Sequence, residues 1–124
     1  MVIRGKERHF LLTVDARDQI AKMCPDGMIG NLGDALTKAS STDIMRKIIV
    51  AMNRGYEDNK HYFDASYEVD YLTDDDLKIL SMEEFRQIEN EASDAFLEGM
   101  GISVEAEEPK NAKGKKTTAK KAKA

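Results

Sequence analysis

The chain carries one cysteine, no tryptophan and two histidines, and each scarcity removes a class of function. A lone Cys24 cannot close an intrachain disulfide, which agrees with a reducing compartment. Its simplest role is that of a small buried apolar side chain at a helix end. His9 and His61 are far apart, and no Cys or His pair has metal-ligand spacing, so a zinc site is not expected. No apolar run approaches the roughly 20 residues of a membrane span. The opening MVIRGKERHF lacks the uninterrupted apolar segment of a signal peptide. A cytoplasmic protein without membrane association is the resulting expectation. Aromatic side chains are few, yet the 41% apolar fraction is that of a folded domain.

Acidic residues are absent from the last sixteen positions, and that absence divides the chain electrostatically. Residues 1–108 hold all 23 acids against 12 lysines and arginines, a formal charge of −11. Residues 109–124 hold seven lysines, Lys110, Lys113, Lys115, Lys116, Lys120, Lys121 and Lys123. With no large apolar side chain to repay the entropy of ordering, this tail is expected to be disordered. The organisation read from the sequence is one small acidic domain over 1–102 and a flexible linker with a lysine-rich tail over 103–124.

Within the domain, Val2-Ile3 and Phe10 to Val14 are apolar runs separated by a charged stretch containing Gly5, which suits a short β-hairpin. Asp15 can cap a helix reaching Cys24, and Pro25-Asp26-Gly27 ends it. Ile29, Leu32, Ala35, Leu36 and Ala39 recur at helical spacing over 28–39, although Gly30 and Gly33 weaken that helix by about 1 kcal/mol each. Ser40-Ser41-Thr42 offers caps for the central core helix, striped by Ile44, Met45, Ile48, Ile49, Ala51 and Met52 and ending before Gly55. Residues 56–71 fit a strand or an ordered loop, with Tyr67, Val69 and Tyr71 alternating in favour of a strand. Thr73 ahead of Asp74, Asp75 and Asp76 starts a helix over 74–80. Ser81-Met82-Glu83-Glu84 forms a capping box for a last helix reaching Gly99 or Gly101. The fold class is α+β, mainly α: a small N-terminal β-hairpin, a compact bundle of about four to five short helices, and a basic tail.

The search for chemistry yields no catalytic constellation and no cofactor site. The Asp74–Asp76 run lacks the alternating acids, glycine and distal Glu of a calcium loop, and reads as helix-start charge. Gly27, Gly30 and Gly33 lack the Lys-Ser/Thr ending of a phosphate loop. The lysine tail can make weak, unspecific, salt-dependent contact with nucleic acid. It has no arginine for base reading and no aromatic for stacking. Its plainer reading is a solubilising tail or one that touches an acidic protein.

The order of motifs resembles one known family. A short hairpin running into a helix and the CPDG turn at 24–27, an apolar middle helix, and then YLTDDDLKILSMEEFRQIENEASDAFLEGMG at 71–101 followed by a charged tail is similar to the small tail assembly chaperones of long-tailed bacteriophages and prophages. The similarity covers about residues 2–101. It implies a non-enzymatic protein that coats the helical tape-measure protein while tail-tube subunits polymerise, and then leaves, so that it is absent from the mature virion. The tail-tube protein is a further implied partner, and self-association is left open. In such families a longer frameshifted product is often made, and the Lys-rich codons of the tail are where it would arise.

A chaperone of this kind needs exposed apolar surface on an acidic, soluble body. Methionine is unbranched and adapts to varied partners. Met28, Met45, Met52 and Met82, with Phe85 and Phe96, are the residues chosen for that surface, against the plainer reading that most methionines are core. Two alternatives stand beside the chaperone reading: a nucleic-acid-associated accessory protein acting through the tail, and a small structural subunit of a virion.

Overall fold

Three hydroxyl side chains start three of the five helices in the computed structural model, which describes residues 1–38 and 42–101. Thr13 accepts a hydrogen bond from the Ala16 amide at 3.1 Å and opens α1, Val14–Lys22. Asp15, expected as this cap, instead lies in the first turn, where the helix dipole favours a carboxylate. Helix α1 ends at Lys22, two residues before the expected Cys24, with Met23 as its C-cap. Thr73 opens α4, Asp74–Lys78, and Ser81 opens α5, Met82–Gly99, each through a complete capping box. In these boxes Asp76 and Glu84 accept from the cap amides while the hydroxyls accept from theirs.

The fold class read from the sequence is the one observed: an α+β fold, mainly α, with an N-terminal hairpin. The hairpin is smaller than its apolar runs suggested. Strand β1, Val2–Ile3, pairs antiparallel with β2, Lys6–Glu7, in the register Val2↔Glu7 and Ile3↔Lys6. Arg4 and Gly5 make the turn at φ 54° and 75°, both left-handed as a tight two-residue hairpin requires. Phe10 to Val14, expected to be the second arm, is instead an irregular segment running over the helices, and Val14 opens α1 with its side chain 80% exposed.

The CPDG turn forms as expected, as a single 3-10 turn over Pro25–Gly27 with Asp26 and Gly27 at positive φ. The helix expected over 28–39 is shorter. A second 3-10 turn, Ile29–Asn31, leads into α2, Leu32–Lys38. Its expected last residue, Ala39, lies outside the described residues, as do the caps expected at Ser40 and Ser41. Thr42 precedes α3, Asp43–Phe63, without capping it; its hydroxyl accepts from Arg46 instead.

Helix α3 is the centre of the molecule and departs most from expectation. It passes through Gly55 and occupies 56–63, where a strand or loop was expected. Residues 64–73 form an irregular strap, so Tyr67, Val69 and Tyr71 are not in a strand. Gly55 does not end the helix because its missing side chain serves packing. An added Cβ would lie 2.6 Å from the Leu11 carbonyl oxygen and 3.0 Å from the Thr13 hydroxyl. The irregular segment 8–13 therefore crosses α3 in backbone contact, with the Leu11 amide donating to the Met52 carbonyl at 3.0 Å.

The stripe of α3 feeds two apolar clusters. Ile49 joins Ile3, Leu72, Leu77, Phe85, Ile88 and Ala92, which draws the hairpin, strap, α4 and α5 onto one side. Ile48 and Met52 meet Ile20 on the other side and fix α1 there. Phe10 and Met45 touch both clusters. Burying each large side chain contributes roughly 1.5–3 kcal/mol, so α3 is the element whose loss would release both halves. No helix among the described residues is long and apolar enough to cross a membrane.

Candidate partner-binding surface

Helices α2, α3 and α5 bring three of the chosen residues together. Met45, Met82 and Phe85 line one cleft of about 320 Å³ with Leu36, Thr42, Arg86 and Glu89. Its exposed wall is Leu36, 40% exposed, and Met82, 55% exposed; its floor is Phe85, only 4% exposed. The geometry follows from local sequence. Ser81 and Glu84 fix the first turn of α5, which projects Met82 outward and turns Phe85, three residues on, into the core. Met45 lies one turn before Ile48 and Ile49 on the same face of α3, so it reaches the surface at the edge of the core.

The other chosen residues are placed differently. Met52 is fully buried beside Ile20 and offers no surface, and Phe85 contributes only the floor of the cleft. These two positions correct the expectation of an exposed patch: on α3 and α5 the adaptable or aromatic side chain sits on the core stripe. Phe96 is half-buried against the cluster around Ile48. Met28 is 60% exposed in the connection between the two 3-10 turns and does not line the cleft. The tail lysines, Lys110 to Lys123, lie outside the described residues.

A polar hub beneath the strap was not anticipated. Glu57 is fully buried on α3 and accepts from the Lys6 ammonium at 2.7 Å, the Tyr67 hydroxyl at 3.0 Å and the Asp70 amide at 3.0 Å. Burial pushes this carboxyl up, but those three hydrogen bonds and the Lys6 charge outweigh it and hold the group below its ordinary value. Asn53, one turn earlier, accepts from the Leu72 amide at 2.9 Å and donates to the His9 carbonyl at 3.0 Å. Arg8, also buried, donates to the Ile3 carbonyl and to the Asp70 carboxylate at 3.0 Å. Ile49, Asn53 and Glu57 recur every four residues, so the signal was present: two polar side chains continuing an apolar helix stripe must be buried with partners.

These hydrogen bonds tie the hairpin, strap and α3 together, which is a structural role. Cys24 is buried, its thiol donating to the Ile20 carbonyl at 3.4 Å and its pKa pushed up by that burial. Neither feature matches an activated nucleophile. Among the described residues, no group of three His, Cys, Asp or Glu side chains could hold a metal ion. No protein-family model, curated protein or solved structure matches this chain.

Proposed function

We propose that this chain is a non-enzymatic tail assembly chaperone of the long-tailed bacteriophage type, which holds the tape-measure protein soluble in the bacterial cytoplasm while tail-tube subunits assemble and is then released. The reading rests on the motif order over residues 2–101. The observation that carries it furthest is the cleft walled by Leu36, Met45 and Met82 on an acidic body. An amphipathic helix presents apolar anchors every three or four residues, and a short cleft with two methionines accepts one or two of them without demanding a single shape. The surrounding negative charge keeps the complex soluble.

Magnitudes favour a reversible coat over a tight binary complex. Two anchors contribute roughly 3–6 kcal/mol of apolar burial. That reaches only the low end of the roughly 4–15 kcal/mol lost in association, so one cleft alone binds weakly at best. Many copies along one long helix would gain affinity by multivalency and still exchange one by one.

The test is a pull-down from phage-producing cells with nuclease present, using the full chain and its Leu36→Gln/Met82→Gln variant, with bound proteins identified by mass spectrometry. A long helical tail protein retained by the native chain and lost by the variant is the expected result. Equal retention by both would move the binding surface elsewhere. Nothing retained after nuclease treatment, with nucleic acid bound before it, would turn the reading toward an accessory protein acting through its lysines.

A further inference from the structure

On α3 and α4, Arg46 reaches Asp74 at 2.8 Å, Lys47 pairs with Asp43 at 3.5 Å, and Arg54 and Lys78 reach Asp58 and Asp74 at 3.9 and 3.5 Å. Arg86, the one base of α5 against six acids, departs from this pattern. Glu83 and Glu89 lie three residues to either side of it, a spacing at which helix pairs form. Among the described residues its guanidinium nevertheless bonds to neither of them and to nothing else. It stands instead in the wall of the cleft formed with Leu36, Met45 and Met82. Glu89, half-buried in the same wall, also has no hydrogen bond or ion pair among the described residues. Arg17 and Lys22 on α1 are free of ion pairs too, but they do not line this cleft.

Met82, Arg86 and Glu89 succeed one another along α5, with Arg86 about 6 Å and Glu89 about 10 Å beyond Met82 along the axis. The apolar wall is thus followed by a positive and then a negative group, about 4.5 Å apart in helical rise. A second helix lying along this wall repeats its side chains every turn, about 5.4 Å, so an acid and a base one turn apart beside its apolar anchor would meet both groups. Apolar contact with two methionines leaves such a helix free to slide and rotate, whereas charge fixes its register. The body's formal −11 draws any basic helix, and Arg86 sets a local repulsion against one that is purely basic.

We infer that Arg86 and Glu89 select the client segment that the cleft accepts: an amphipathic helix whose apolar anchor is flanked by one acid, which meets Arg86, and by one base a turn away, which meets Glu89. Such selection presupposes that the cleft is the client site. Ion pairs at an exposed rim change affinity by up to about five-fold. That is enough to choose among the segments of one long helix while each contact stays exchangeable.

Titration of the isotope-labelled full chain with three stapled helical peptides, equal in helicity and in leucine anchors, tests it. The two residues flanking the anchor are Glu and Lys, Lys and Lys, or Glu and Glu, and the readout is the methyl resonances of Met45 and Met82. The expected result is that the Glu/Lys peptide shifts both methyls at about two- to five-fold lower concentration than the other two at low salt. In Arg86→Glu, with circular dichroism unchanged, the Lys/Lys peptide should become the tightest. Equal affinities for the three peptides, or an order that Arg86→Glu leaves unchanged, would overturn the selection and leave the cleft as the binding site. No methyl shift with any peptide, or a Met45 shift that survives in Leu36→Gln/Met82→Gln, would overturn the cleft reading and the selection with it.

Discussion

At the scale of single residues, the most informative positions break a local preference for a packing reason. Gly55 sits inside a 21-residue helix where alanine would favour helix formation by about 1 kcal/mol. Alanine there would nevertheless meet the Leu11 carbonyl at 2.6 Å, and a backbone atom cannot rotate away as a side-chain tip can. Gly55→Ala should therefore destabilise the fold by about 1–3 kcal/mol. A urea midpoint at or above that of the native chain would show that segment 8–13 yields freely. Glu57 makes the complementary case. Glu57→Gln keeps the shape but removes the charge opposite Lys6 and one acceptor site, so a loss of about 3 kcal/mol is expected in the same measurement. A loss below about 0.5 kcal/mol, the range of ordinary surface changes, would mean that the hub is replaceable by neutral hydrogen bonds.

At the scale of elements, the caps carry the most transferable information. Thr73 and Ser81 each satisfy an otherwise orphaned amide and receive a reciprocal bond, so Thr73→Ala and Ser81→Ala should each cost about 1 kcal/mol. They lie in adjacent helices that share one core cluster, and the double variant, measured by chemical denaturation, should lose roughly the sum. These helices were legible because capping is local: cap, acid and apolar stripe all fall within a few residues. The CPDG turn was legible for the same reason. The C-terminal half of α3 was not, because Gly55 and the tyrosines after it are read locally as an end and a strand, whereas a contact forty-four residues away in sequence, between Gly55 and Leu11, decides the outcome. The second hairpin arm failed similarly. The apolar run Phe10 to Val14 has strand-like composition, but its Leu11 amide bonds to α3 rather than to β1. Of the candidate surface, Met82 and Met45 were readable from residue type alone. The burial of Met52 and Phe85 was readable only from their place on a stripe, which residue type does not override.

At the scale of the whole molecule, charge governs more than apolar packing alone would suggest. The hairpin and strap have little apolar anchorage beyond Met1, Ile3 and Leu72; bonds to the ionised Glu57 tie them to α3, and the Arg8–Asp70 ion pair ties the strap to the segment after the hairpin. That makes stability depend on pH with two limbs. On the acid side, burial pushes the Asp70 carboxyl up, but hydrogen bonds from Arg4 and Arg8 and their charge outweigh it, and the Arg46 hydrogen bond holds Asp74 below its ordinary value. Glu57 is held low as well. Folded values below unfolded ones mean that this stability is fully present above an unfolded carboxylate's pKa of about 4 and is lost as pH falls through the lowered values. On the alkaline side, burial alone would lower the Met1 amine and Lys6, but their bonds to Glu7 and Glu91 and to Glu57 raise both. The Met1 contribution is fully present below an unfolded α-amine's value of about 8 and that of Lys6 below an unfolded lysine's value of about 10.4, and each is lost as pH rises through its raised folded value. The urea midpoint should therefore be flat between about pH 5 and 8 and fall on both sides. In Glu57→Gln the acid limb should become shallower while the whole curve sits lower, because a neutral amide has no proton to gain. An acid limb unchanged in that variant would transfer the effect to Asp70 and Asp74 and leave Glu57 as a packing residue.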